Sequence, residues 1–425
     1  MRRLLCNSTV VTAILAILVV PANATSPRAA SGDHRQPAHG MPVVLTGKDL
    51  PFLIGKPIAS IRVIDMAGQA VPFQVDEITE SGEYVLDRGE APNTGNGNGV
   101  FDRQDEIVFL WGDADGGPDI LAHERMDGLV LLSGGSGLRA VIIRADPSLP
   151  LSSRRYIEYD HATQRVSTPY YYANFAKDRF HFLRAGVKDF SGGGGFIDLT
   201  NELRVEILLR TLFGIVPIRY TEDNMVCFVR RYKVGPIRLI RRGDFHLNLG
   251  MGVKSSRAAV NQICYPQLVE VPVRVNLPVR FRTLFSQAHV EMTPIIREGG
   301  RRFRFEVPSE NIILPIGGDR LDTLHAAIPV GKMFTVRHHG NTGYGWLLNT
   351  TMNPAHLAGS GFVIRRPPSG RRGVAECGFR LTVRDVPRGN YYITNRVVFS
   401  SGRSGDIERL GRSVSYPIGV DLSRM

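Results

Sequence analysis

Residues 94–105 read Thr-Gly-Asn-Gly-Asn-Gly-Val-Phe-Asp-Arg-Gln-Asp and concentrate oxygen-bearing side chains at a spacing that a cation could use. Taken as a 12-residue loop, the run places Thr94, Asn96, Asn98, Asp102 and Asp105 at positions 1, 3, 5, 9 and 12, with Gly99 at position 6 and Phe101 at position 8. A hard cation such as calcium takes about six to eight oxygens, and only two carboxylates are on offer, so a dissociation constant of about 10⁻⁴ to 10⁻³ M is expected. Gly99 would allow the bend, and Phe101 would pin the loop to a core. Without a cation the run is a Gly-rich turn, because Asn96-Gly97 and Asn98-Gly99 are turn signals by themselves.

Other chemistry is sparse. Glu222-Asp223 is the one carboxylate pair in the basic half with a claim to acid–base work. Adjacent strand residues point to opposite faces, which favours a polar turn. His338-His339 lacks the spacing of known metal sites. Tyr170-Tyr171-Tyr172 suits either a sugar-stacking platform or a strand with Tyr packed on both faces. Gly192–Gly195 is not followed by Lys-Ser or Lys-Thr, so it is no phosphate loop, and no Gly-x-Ser-x-Gly elbow occurs. Catalytic residues are therefore unassigned.

The elements that must carry these residues are strands. Ile61–Ile64 and Val71–Val75 flank Ala67-Gly68-Gln69 as a hairpin, and Leu129–Leu132 with Leu138–Arg144 form a second. Ile107–Trp111 suits a buried strand. Val269, Val271, Val273, Val275 and Leu277 share one face of a strand whose Pro272 predicts an edge or a bulge. Arg302–Val307 alternates in the same way. Phe379–Val383 and Tyr391–Phe399 read as strands joined by a turn at Pro387-Arg388-Gly389. The fold class is mainly β: a small N-terminal β module and a larger β-sandwich region, with a supersandwich as the variant. The segments are 1–24, a signal peptide; 25–40, a flexible N-terminus; 41–147, an acidic β module; and 155–425, a basic β-sandwich region.

Arg2 and Arg3, the apolar run Val10–Val20 and Ala22-Asn23-Ala24 predict a signal cleaved before Thr25. The run is too short to span a bilayer, which takes about 20 residues. The expected location is secreted or periplasmic, with no transmembrane segment after cleavage. Cys227, Cys264 and Cys377 remain. In an oxidising compartment Cys227 and Cys264 are the nearer pair for a bridge; the alternative is three buried small hydrophobes. Charge is divided unevenly. Residues 76–127 hold 14 Asp and Glu against three Arg, whereas residues 203–304 hold 18 basic and seven acidic residues. Arg274, Arg280, Arg282, Arg302 and Arg304 are expected on exposed strand faces. The asymmetry has three readings: solvated faces, docking of the acidic module on the basic region, or an anionic partner such as a polysaccharide, a membrane surface or a protein. Nucleic acid is disfavoured, since no nucleic-acid motif accompanies the charge.

Over residues 94–105 the spacing resembles the calcium loops of EF-hands and dockerin modules. The resemblance implies ligation by the side chains of Thr94, Asn96, Asn98, Asp102 and Asp105 and by the carbonyl of Val100. It departs at Thr94, where the pattern has Asp, and at the short Asp105. A broader set comprises Pro72–Glu77, Gly97–Asp102, Asp105–Phe109, Thr221-Glu222-Asp223 and Gly235–Arg242. Together these resemble a group of uncharacterised secreted bacterial β-rich proteins, over about residues 60–280; this implies export and β structure and carries no activity. Gly235-Pro236-Ile237-Arg238 followed by strands is similar to carbohydrate-active β-supersandwich proteins at the level of fold. The expected function is an exported, non-enzymatic binding or structural protein that recognises an anionic partner. The alternative is a carbohydrate-active enzyme, lyase or glycosidase, acting on acidic polysaccharide.

Overall fold

The computed structural model describes residues 39–422 apart from 117–126, 135–136, 180–181, 191–193, 201, 212–216, 251, 256, 278, 284, 298–302, 308–311, 317–323, 327–330, 339–341, 358, 367–373, 402–406 and 408–418. Residues 1–24, expected from the sequence to be a signal peptide, most of 25–40, Arg302, His339 and Gly192-Gly193 lie outside the described residues. The protein is mainly β, with antiparallel sheets and short 3₁₀ turns.

A long sheet organises the molecule. Its order is Ile312–Ile316, Phe303–Val307, Met333–Arg337, Thr342–Thr350, Gly389–Ser401, Leu268–Leu277, Ala258–Cys264, Leu239–Gly250, Met225–Val234 and Arg88–Gly89. Strict alternation gives it an apolar inner face: Val269, Val271, Val273, Val275 and Leu277 all join the main core. A six-stranded sheet covers part of that face, in the order Pro217–Thr221, Glu202–Thr211, Phe285–Arg297, Val374–Val383, Gly361–Arg365 and Leu324–Ala326. Phe334 meets Phe362 and Phe379 across the gap, each at 5.1 Å between ring centroids, so aromatic edges lock the sandwich. A five-stranded sheet spanning Glu158–Thr200 packs on the same core, with Tyr171 stacked on Phe399 at 4.2 Å.

The acidic segment covers the other face. Pro42–Thr46, Glu106–Leu110 and Phe73–Asp76 form one small sheet. Ile61–Ile64, Gly137–Ala145, Leu129–Gly134 and Gly419–Leu422 form another, so residues from near the end of the sequence complete it. Its core takes in Ile240, Ile263, Leu268 and Val398 of the long sheet and Ile237 and Tyr265 of its turns. At the centre of the junction Arg238 is 1% exposed. Its Nε donates to Asp76 (2.8 Å), its Nη2 to Glu106 (2.5 Å) and its Nη1 to Tyr265 Oη (2.9 Å). Lys233 adds a bond to Asp76 (2.9 Å), and Arg242 pairs with Glu83 and Arg230 with Glu90. Burial would raise the Asp76 carboxyl; Lys233 and Arg238 outweigh it and hold the group at about 2. The docking of acidic on basic segment is thus a feature of the fold, made by a buried ionic knot inside an apolar seal.

Three local expectations change. Ile61–Ile64 and Phe73–Asp76 do turn tightly at Gly68, but past the Ile64–Ala70 bridge they enter different sheets. Leu268–Leu277 is a central strand, paired along its length with Gly389–Ser401. Pro272 is tolerated because pairing to Ala258–Cys264 stops at Glu270, leaving that side open. Val374–Val383 and Gly389–Ser401 belong to opposite layers, so the turn at Pro387–Gly389 is a crossover. Cys227, Cys264 and Cys377 are buried and free. Cys227 pairs opposite Phe245 and Cys264 opposite Leu239, about 20 Å apart along the strand between them, too far for a bridge. Among the described residues no helix is long and apolar enough to cross a membrane.

Candidate anion-binding face

The outer face of the six-stranded sheet carries a dense set of charges. Period-2 alternation turns Arg204, Glu206, Leu208 and Arg210 outward on one strand, His289 and Glu291 on the next, and Glu376, Arg380 and Thr382 on the third. Register then aligns them in rows: Glu206 with Glu291 and Arg380, and Leu208 with His289 and Thr382. A cleft of about 240 Å³ opens there, lined by Glu206, Leu208, His289, Glu291, Arg365 and Arg380. Gly378 lies between Glu376 and Arg380; a Cβ on it would come within 1.9 Å of the Met292 carbonyl oxygen, so the strands approach too closely for any side chain.

Three carboxylates of this face, Glu206, Glu291 and Glu376, are taken up by guanidinium groups. Glu376, fully buried, receives Arg204 and also Arg365 (2.7 Å). Arg365 reaches on to Glu291 (2.8 Å), which also takes Arg380 (2.5 Å). Glu206 takes both arms of Arg219, each at 3.0 Å. The result is an alternating-sign chain across four strands, Arg204–Glu376–Arg365–Glu291–Arg380.

The open end is different. Arg210 and Arg384 are exposed and have no carboxylate partner among the described residues. Arg384 meets only the neutral Gln287 amide, whose oxygen, turned toward it, accepts at 2.9 and 3.0 Å. His289 lies one row further in, between Leu208 and Thr382, with Nδ1 3.0 Å from Thr382 Oγ1. Burial and the charges of Arg380, Arg210 and Arg384 push the imidazole pKa down, opposed by Glu291. Beyond this end lie the exposed Arg280, Arg282 and Arg388, with Asp385 held by Arg280 through two bonds of 2.7 Å. Such a corner can hold an oxyanion by paired hydrogen bonds and charge.

The residues singled out in the sequence fall elsewhere. Thr94–Asn96 is a 3₁₀ turn. Asn98 and Asp102 do come together (2.8 Å), but Asn98 Oδ1 accepts from the Val100 amide (2.8 Å). Asp105, fully buried, accepts from the amides of Ile78 (2.7 Å) and Asp102 (2.7 Å). Glu77 closes the loop from outside, accepting from the Asn98 and Gly99 amides. Burial, against those two amides, raises Asp105 to about 6, and Asp102 and Glu77 add to the rise. Phe101 is fully buried beneath the loop. Among the described residues no three His, Cys, Asp or Glu side chains converge as metal ligands do. Glu222 and Asp223 lie in a 3₁₀ turn, occupied by the Val205 amide and by Arg179. Tyr171 and Tyr172 are buried on opposite faces of their strand. Of the arginines expected on open faces, Arg280, Arg282 and Arg304 are exposed and Arg274 is half-buried. Sequence reasoning did not single out His289, Glu291, Arg365 or Arg380. The available signal was the alternation of Glu202–Thr211, but its partner strands lie about 80 and 170 residues away.

No family model matches the sequence, and no curated protein is similar to it. Among solved structures, an α-mannosidase from Enterococcus faecalis V583 superposes at a TM-score of 0.43 with 9% identity, over 92% of this chain and 45% of that one. A protein in the glycosyl hydrolase family 38 from Enterococcus faecalis gives 0.40 with 8% identity, over 92% and 46%. The Slr1438 protein from Synechocystis sp. PCC 6803 gives 0.30 with 8% identity, over 59% and 97%. The chain spans about half the length of the first two, and likeness at these scores carries no argument about its chemistry.

Proposed function

We propose that this chain is an exported binding protein that recognises an anionic polysaccharide at the charged cleft of the six-stranded sheet. One observation carries the reading. Every carboxylate lining the cleft is already paired with an arginine, while Arg210 and Arg384 at its mouth have no carboxylate partner among the described residues. The place left for a negative charge is therefore on a ligand. The recess is concave, which suits a chain bearing acidic groups better than the plane of a membrane. Binding fits the geometry better than glycoside hydrolysis, which needs two carboxyl groups facing one sugar, one of them free to give up a proton; here their oxygens are spent on guanidinium.

The test is calorimetric titration of the mature protein with polygalacturonate at low and moderate salt. Arg210→Ala with Arg384→Ala should weaken binding by about tenfold or more, since each lost charge-assisted bond contributes about 1–3 kcal/mol. Binding should also fall with salt. Unchanged affinity in the double variant would remove the cleft from consideration.

A further inference from the structure

Hydrogen bonding around His289 favours the neutral tautomer whose Nε2 faces the cleft as a bare lone pair. Thr382 Oγ1 has one proton and lies 3.2 Å from the Gly359 carbonyl oxygen, an acceptor that has no proton of its own to give. The same oxygen lies 3.0 Å from His289 Nδ1. A hydroxyl that has already donated can only accept at its second contact. With the Thr382 proton directed to Gly359, Nδ1 of the neutral ring carries the hydrogen and donates to Thr382, and Nε2 is an acceptor. Nε2 has no hydrogen-bond partner among the described residues, and the ring lines the cleft. An oxyanion drawn in by Arg210 and Arg384 would meet Nε2 lone pair against lone pair. Protonation reverses this, because both ring nitrogens of the imidazolium are donors.

We propose that capture of an oxyanion in this cleft is coupled to uptake of one proton by Nε2 of His289, so that the site holds its ligand more tightly in mildly acidic surroundings than at neutral pH. The proposal rests on the anion-binding reading above and adds its regulation. The proton comes from solvent, and no covalent bond forms or breaks. The groups facing the ring are Arg210 from one neighbouring strand, Arg380 and Arg384 from the other, Glu291 on its own strand and Glu206 beside Glu291. In the empty site the arginines and burial favour the neutral ring, and Glu291 opposes them. A bound anion sets a negative charge against Nε2 and favours the imidazolium. The sign follows from linkage. Since the bound state holds the proton more tightly, affinity rises as pH falls through the bound-state value and levels off below the free-state value. The ligand group is one whose own charge is constant over that range, a uronate carboxylate or a sulfate ester.

Two measurements on the mature protein test this. In calorimetry with polygalacturonate, wild type should bind about tenfold more tightly near pH 5.5 than near pH 7.5, and His289→Gln should lose that slope. In NMR titration of the His289 ring, sodium sulfate should raise its midpoint by about one unit relative to sodium chloride at equal ionic strength. An equal slope in His289→Gln, or a midpoint indifferent to sulfate, overturns the coupling while the anion site stands. If Arg210→Ala with Arg384→Ala also binds as wild type does, the anion site itself falls, and the coupling with it.

Discussion

Asp76 and Asp105 share a short stretch of acidic sequence, yet their surroundings drive them in opposite directions. Asp76 is held at about 2, so its folded-state value lies below the ordinary 3.8. Its contribution, on the order of 2 kcal/mol, is present above about pH 4 and is lost as pH falls toward 2. Asp105, raised to about 6, has the reverse sign: the folded state binds the proton more tightly, and stability falls by about 2–3 kcal/mol as pH rises from 4 to 6. Urea unfolding across that range should show the decline in wild type and not in Asp105→Asn. Breaking the knot from one side, by Asp76→Asn or Arg238→Met, should lower stability by about 3–5 kcal/mol, since the partner charge stays buried; a loss below about 1 kcal/mol would show that the knot contributes little. For calcium, a cation at 94–105 would have to replace the Ile78 and Asp102 amides on Asp105. Any rise in melting temperature is therefore expected only at millimolar calcium, and Asp102→Ala with Asp105→Ala should remove it.

Alternation made the strands legible. Val269–Leu277 and Phe303–Val307 put their apolar residues inside as their spacing implies, because one buried face fixes register. Pairing partners were not legible in the same way. Ile61–Ile64 and Phe73–Asp76 sit on either side of a tight turn, and still each finds a better apolar surface in a different sheet. The charged cleft stayed hidden for a related reason: it is assembled from strands whose rows meet only through long-range pairing. At this scale Gly378 is the sensitive position. Gly378→Ala should force apart Val374–Val383 and Phe285–Arg297, at a cost of about 2 kcal/mol or more, and weaken polygalacturonate binding by misaligning Arg380. A variant of wild-type stability would show that the two strands can separate freely.

The charge asymmetry turned out to serve the molecule's own assembly first. Asp76, Glu83, Glu90 and Glu106 meet Arg238, Lys233, Arg242 and Arg230 across the layers. Gln74, Asp76 and Glu106 converge on Arg238 at the centre of that junction. Because Ile240, Ile263, Leu268 and Val398 seal the same junction, 1 M salt, which shortens the screening length to about 3 Å, should leave one cooperative melting transition. Two separated transitions would mean that the ionic contacts alone hold the layers. The pairing of Gly419–Leu422 with Leu129–Gly134 carries a further consequence, one of timing. Val130 waits for Leu422, which leaves the ribosome roughly 290 residues later. The layer synthesised first is thus among the last to be finished, and until then it keeps an open sheet edge that another unfinished chain can pair with.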